Sequence, residues 1–185
     1  MQVEEELARF LPGEDTLLAI GVFDGVHLGH KYLISQLIEE SQRESLCSGV
    51  VTFNPHPREV LSPGREVLYL TSITEKVNLL RKEGVTTVVT LSFTPELAGM
   101  DARQFITLLK KHLRMRGLVV GPDFALGRGR EGDIDNLRTL GQAMDFSITV
   151  IPEVKTNSDV ISSTTIRMKQ PQQSLANINI SLSIT

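Results

Sequence analysis

Five short apolar runs, separated by stretches of helical period, constrain the fold of this chain more than any other feature. The runs are "TLLAIGV" (16–22), "GVVTF" (49–53), "VTTVVTLS" (85–92), "GLVVG" (117–121) and "SITVIP" (147–152); they are β-branched or aliphatic and lack polar alternation. Strands apolar on both faces belong in a parallel sheet covered by helices, because an exposed face would carry polar residues at every second position. The intervening segments supply the cover. Leu33, Leu37 and Ile38 form one helical stripe, Ile73, Val77 and Leu80 a second, and Ala102, Phe105, Leu109 and Leu113 a third. A fourth and weaker helix over 133–144 starts at Asp133 as N-cap, turns Leu137, Leu140 and Met144 inward, and is interrupted by Gly141. The β-α-β alternation predicts an α/β fold with a doubly wound parallel sheet. Ligands of such sheets collect outside the carboxyl ends of the strands, where strand order reverses. Three Gly- and Pro-rich loops, 21–29, 54–72 and 121–132, belong at that edge.

Composition narrows the partners. A chain of 185 residues with 41% hydrophobic content supports one core, and the tail from Met168, "MKQPQQSLANINISLSIT", has no convincing period. The predicted organisation is one domain over 1–168 and a short polar tail over 169–185. A net charge of −3 supplies no basic field for nucleic acid, so small molecules are the expected partners. Cys47 stands alone, which excludes an internal disulfide and suits a reducing compartment. The acidic start "MQVEEELARF" has no secretory pattern, and no apolar run approaches the length of a membrane span. A soluble cytoplasmic protein without a membrane partner is expected.

The loop after the first strand reads "GVFDGVHLGH" (21–30) and sets His27 and His30 three positions apart. A metal site is disfavoured: zinc needs three or four ligands, no cysteine is near, and the pair lacks the i, i+4 spacing of helical ligands. Two histidines that merely satisfy backbone groups are the plain alternative. Against it, Gly21, Gly25 and Gly29 punctuate a strand-to-helix turn and let backbone approach a ligand closely. The helix that follows aims unpaired N–H groups and a positive dipole end into the same space, which favours an anion. The pattern is neither the dinucleotide fingerprint nor the P-loop. Far downstream, "ISSTTIR" (161–167) reads as a Ser/Thr N-cap cluster opening a helix, with Arg167 in its first turns. An ordinary cap would look the same.

Two further loops carry chemistry. In "VVTFNPHPREVL" (50–61), Pro55 and Pro57 stiffen the chain around His56 and leave an apolar wall beside one polar tip, although a plain Pro-rich turn is similar. In "VVGPDFALGRGREGD" (119–133), Phe124 offers a ring face with Arg128 and Arg130 close behind, a set suited to an aromatic ligand bearing phosphate; solvated loop charges are the plain alternative.

Together the H-x-G-H run and "ISSTTIR" resemble the paired signatures of the H-x-G-H nucleotidyltransferase superfamily, which has a Rossmann-like fold. With the other two loops, the chain from about residue 15 to 168 resembles the FMN adenylyltransferase domain of the bacterial bifunctional riboflavin kinase/FAD synthetase family. The resemblance implies transfer of AMP from ATP to FMN, giving FAD and pyrophosphate. It implies that His27 and His30 serve the α-phosphate and the leaving pyrophosphate, and that Ser163, Thr164 and Arg167 hold the β- and γ-phosphates. Gly21, Phe23, Asp24, Gly25, Gly29 and Ser162 are implied to surround the nucleotide. Asn54, Pro55, His56, Pro57, Asp123, Phe124, Arg128 and Arg130 are implied to line the flavin side. Mg²⁺ is expected on the phosphates, with no metal ligand from the chain. The family's riboflavin kinase domain is expected to be missing here. Two other readings stay open: a transferase of the same superfamily with another phosphate acceptor, and a flavin- or nucleotide-binding remnant without turnover.

Overall fold

The computed structural model describes residues 2–10, 12–64 and 67–152, and the backbone of 155–156 and 159–160. Strands β1 (Thr16–Ile20), β2 (Cys47–Asn54), β3 (Thr87–Ser92), β4 (Met115–Val120) and β5 (Ser147–Val150) form one sheet of order β3-β2-β1-β4-β5. Every neighbouring pair is parallel. All five expected strands are present, with shifted ends. Gly21 and Val22 leave the sheet after β1, and Gly121, Ile151 and Pro152 leave it after β4 and β5, since the chain must turn there. A short antiparallel pair, β6 (Lys155–Thr156) and β7 (Asp159–Val160), follows.

All five residues of the central strand β1 are buried, and their side chains alternate between two cores as the pleat requires. Leu17 and Ala19 face helices α2 (Leu28–Arg43) and α4 (Ile73–Lys82), where Ile34, Leu37 and Leu80 are wholly buried. Leu18 and Ile20 face the other side, with α1 (Gln2–Leu7), α6 (Ala102–Leu113) and α7 (Ile134–Met144). The four expected residues of the α6 stripe are all buried, joined by Ile106 and Leu108. In α2 the stripe is rotated: Ile34 and Leu37 are innermost, while Leu33 and Ile38 are partly buried. Ile73 is half-buried at the start of α4.

Helix starts follow local chemistry. Asp133 caps α7 by accepting the Asn136 N–H at 2.9 Å, and capping boxes start α4 (Ser72 with Glu75) and α6 (Asp101 with Gln104). Gly141, expected to interrupt α7, is instead a packing position: a Cβ there would stand 2.7 Å from the Phe146 carbonyl oxygen. Three short helices were not expected, namely α1, α3 (Pro57–Leu61) and α5 (Pro95–Gly99). No described helix is long and apolar enough to cross a membrane.

Strand order reverses between β1 and β4, so a crevice opens above their carboxyl ends. Loops 21–29, 54–72 and 121–132 all converge on it.

Candidate active site

The turn after β1 is held in a conformation that few sequences adopt. Phe23 (φ 50°), Gly25 (φ 73°) and Val26 (φ 36°) all have positive φ. Such backbone persists only when its surroundings over-determine it. Those surroundings are the residues leading into α4. The buried Asp24 carboxylate accepts the N–H groups of Leu70 (3.0 Å) and Thr71 (3.1 Å) and the Thr71 hydroxyl (3.2 Å). The Gly25 N–H donates to Thr71 Oγ1 at 3.1 Å. A Cβ on Gly25 would lie 2.9 Å from Leu70 Cδ1, so this glycine is required both by φ and by space.

His27 is the N-cap residue of α2, and its side chain makes no capping hydrogen bond. Its ring stacks on that of His30 with centroids 3.6 Å apart and planes 23° apart, and Phe23 packs edge-on against His30 at 5.1 Å. Two stacked imidazoles resist double protonation. Burial, then the neighbouring His27 charge, pushes the His30 pKa down to about 3; Lys76 adds to this and Asp24 opposes it. Among the described residues, the buried Nδ1 of His30 has no hydrogen-bond partner. His30 is therefore a neutral imidazole beside the unpaired N–H groups at the start of α2.

One site residue lies outside those singled out from the sequence. Lys76, on α4, is 2% exposed, and its ammonium donates to the carbonyls of Val22 (2.9 Å) and Phe53 (3.3 Å) and to Thr52 Oγ1 (3.4 Å). Burial lowers its pKa, and the Asp24 charge counters this. Its position three residues after Ile73 and four before Leu80 puts it on the apolar stripe of α4, and a lysine at such a place is the signal that could have found it; which groups it meets is decided by the packing of α4 against the turn.

Beside the turn lies an apolar cavity of about 460 Å³. Phe53, Phe93, Phe105 and Phe124 wall it, Asp123 and Arg130 supply polar groups, and Gly21 and Val22 join it to the histidine turn. Its outer wall, loop 121–132, is pinned to the domain. Leu126 and Gly132 bridge, Arg128 N–H donates to the Met100 carbonyl (2.9 Å), and Glu131 accepts the Ala102 N–H (3.0 Å). Gly127 (φ 79°) permits this approach, since a Cβ would stand 2.7 Å from Ala102 N. The Arg130 guanidinium donates to the Asp123 carbonyl at 2.7 Å.

Of the residues singled out from sequence, Gly21, Pro57, Asp123, Phe124 and Arg130 line this cavity. His56, expected as the polar tip of its wall, is turned inward instead. Its Nδ1 accepts the Arg58 N–H (3.0 Å) as the N-cap of α3, and its own N–H donates to the Tyr69 hydroxyl (2.8 Å). Asn54 is exposed and precedes Pro55 through a cis peptide bond. Arg128 is exposed and outside the cavity lining, and Gly29 sits in the first turn of α2. Ser162, Ser163, Thr164 and Arg167 lie outside the described residues. Among the described residues, no three His, Cys, Asp or Glu side chains are grouped to hold a metal ion.

Known proteins resemble the chain over most of its length. It is 39% identical over 172 residues to the bifunctional riboflavin kinase/FMN adenylyltransferase of Escherichia coli (strain K12), covering 92% of this chain and 53% of that protein. To an FAD synthetase of Listeria monocytogenes it is 34% identical over 162 residues, covering 84% of this chain and 65% of the relative. The chain thus spans about half to two thirds of the length of these relatives. A solved structure described as a macrolide-efflux protein from Streptococcus pneumoniae matches with a TM-score of 0.80 and 25% identity, over 91% of this chain and 54% of that one. Matched from residue 12 to residue 165 by the FAD synthetase family model, the chain belongs to the FAD synthetase family.

Proposed function

We propose that this chain joins AMP from ATP to FMN, forming FAD and pyrophosphate. The observation that carries the reading is the adjacency of two sites: Gly21 and Val22 belong both to the histidine turn and to the apolar cavity. A flat aromatic acceptor in the cavity would therefore present its phosphate to a triphosphate at the start of α2. The family and the FMN adenylyltransferase activity named for the Escherichia coli relative support the same acceptor.

In the proposed step an FMN phosphate oxygen attacks the α-phosphorus of ATP in line. The new P–O bond forms as the bond from the α-phosphorus to the bridging oxygen breaks, and that electron pair leaves on pyrophosphate. The nucleophile is already anionic, so catalysis is positioning and charge stabilisation. Neutral His30, with His27 and the first N–H groups of α2, serves as donor to the α-phosphate and the leaving group. Ser163, Thr164 and Arg167, beside Ser162, are assigned the β- and γ-phosphates. Phe124 and Pro57 flank the isoalloxazine, and Arg130 is the nearby cation. The Asp24 carboxylate accepts the Leu70 and Thr71 N–H groups and holds the turn; Mg²⁺ would come with ATP as part of the substrate and offset its phosphate charge.

Incubation with FMN, ATP and Mg²⁺ should yield FAD and pyrophosphate in equal amounts. Pyrophosphate release with a different phosphate acceptor but not with FMN would reassign the substrate. Quenching of flavin fluorescence without turnover would reduce the chain to a binding module.

A further inference from the structure

The proposed step assigns no part to Lys76, yet the ammonium sits beneath both substrate loops. We infer that Lys76 is a positioning residue that locks the histidine turn and the 54–57 loop against each other, so that acceptor and triphosphate meet in one geometry. The inference rests on the proposed function for its catalytic consequence, but its structural content stands alone. The Val22 carbonyl is the root of the histidine turn, and the Phe53 carbonyl is the root of the Pro55–Pro57 segment. One ammonium, with three N–H donors, reaches both carbonyls and the Thr52 hydroxyl. Thr52 Oγ1 in turn donates to the Val22 carbonyl at 2.9 Å, closing a small network between the histidine turn and β2. The same stretch of chain grips the turn again two residues on, where Leu70 and Thr71 donate to Asp24. Residues 70–76 therefore hold the turn both at Val22 and at Asp24.

A neutral side chain of similar shape would take the ammonium donor from the Phe53 carbonyl, leave the Val22 carbonyl with the Thr52 hydroxyl, and free the two loops to move independently. It would also remove a positive charge from the surroundings of His30. The groups acting on that ring are His27 beside it on α2, Asp24 on the turn and Lys76 on α4.

The test compares wild type, Lys76→Met and Lys76→Arg. In ligand-free Lys76→Met, amide hydrogen exchange should rise about tenfold or more both in the 21–30 segment and at Asn54 and His56, the two residues of the 54–57 loop that carry an amide hydrogen, with 102–113 unchanged. The His30 imidazole, followed by NMR, should titrate ~0.5 pH unit or more higher than in wild type. In the FAD-forming assay kcat should fall about 100-fold while KM for ATP and FMN stays within about threefold. Lys76→Arg keeps the charge but not the point geometry, so His30 should titrate as in wild type while kcat falls about tenfold. Exchange rising in one loop alone or in neither, or kcat of Lys76→Met within about threefold of wild type, overturns the inference. Should Lys76→Met not fold, Lys76→Arg decides: faster exchange in both loops supports the lock, and wild-type exchange overturns it. Exchange and titration need no substrate, so a wild type that makes no FAD would overturn the proposed function and leave these readouts to judge Lys76.

Discussion

A histidine that stays neutral is a different tool from a cationic one. His30 is stacked at 3.6 Å on His27 and packed edge-on by Phe23, largely withdrawn from solvent, so it offers one N–H donor and carries no resting charge. In the proposed reaction, replacing it by alanine should cost roughly 2.7–4 kcal/mol of transition-state stabilisation, read as a fall of several hundredfold in kcat by FAD formation. The KM for ATP should change far less; a rate within severalfold of wild type would remove His30 from the chemistry. The sequence made this turn conspicuous because glycines and histidines at fixed spacing are visible in one dimension. It could not disclose the neutrality, which depends first on burial, then on the His27 charge stacked beside the ring. Nor could it disclose that His56 caps α3, because Nδ1 acceptance depends on the local backbone of residues 56–58.

At the scale of elements, long periodic segments were legible and short ones were not. The four main helices and five strands carry enough repeats for a period of 3.6 or an unbroken apolar run to stand out. Helices α1, α3 and α5 have six, five and five residues, too few to display a period. α1 exists through its contacts: Val3 and Leu7 are wholly buried with α6 and β3, and Glu6 accepts the Ser92 N–H at 2.8 Å. The Asp133 cap of α7 should be worth about 1 kcal/mol, so Asp133→Ala should lower Tm by roughly 2–4 °C in a calorimetric scan. The loop after β4 gives a functional counterpart. Phe124→Ala removes one aromatic wall of the 460 Å³ cavity and should weaken FMN binding about tenfold, near 1.4 kcal/mol, by fluorescence quenching. ATP affinity should not follow; an unchanged FMN affinity would place the flavin elsewhere.

For the whole molecule, the desolvated His30 imidazole predicts a pH dependence of stability. His30 has a pKa of about 3 when folded against 6.5 for an unperturbed histidine, so the unfolded chain binds a proton that the folded chain refuses across that window. Stability should fall as pH drops from 6.5 toward 3, by up to roughly 1.4 kcal/mol per pH unit from this group. Denaturant titrations of ligand-free protein should show a shallower acid slope in His30→Asn; equal slopes would mean that the ring is not buried in its neutral form. What the sequence determined by itself was the alternation of β and α segments, the parallel sheet, and the loops that gather above it, because these follow from periodicity and turn chemistry along the chain. The tertiary structure alone decided which of those loop residues face the cavity, that Asp24 and His56 are engaged with backbone, and that Lys76 lies beneath two loops at once. Those outcomes depend on burial and on contacts between distant segments, for which neighbours in sequence carry no information.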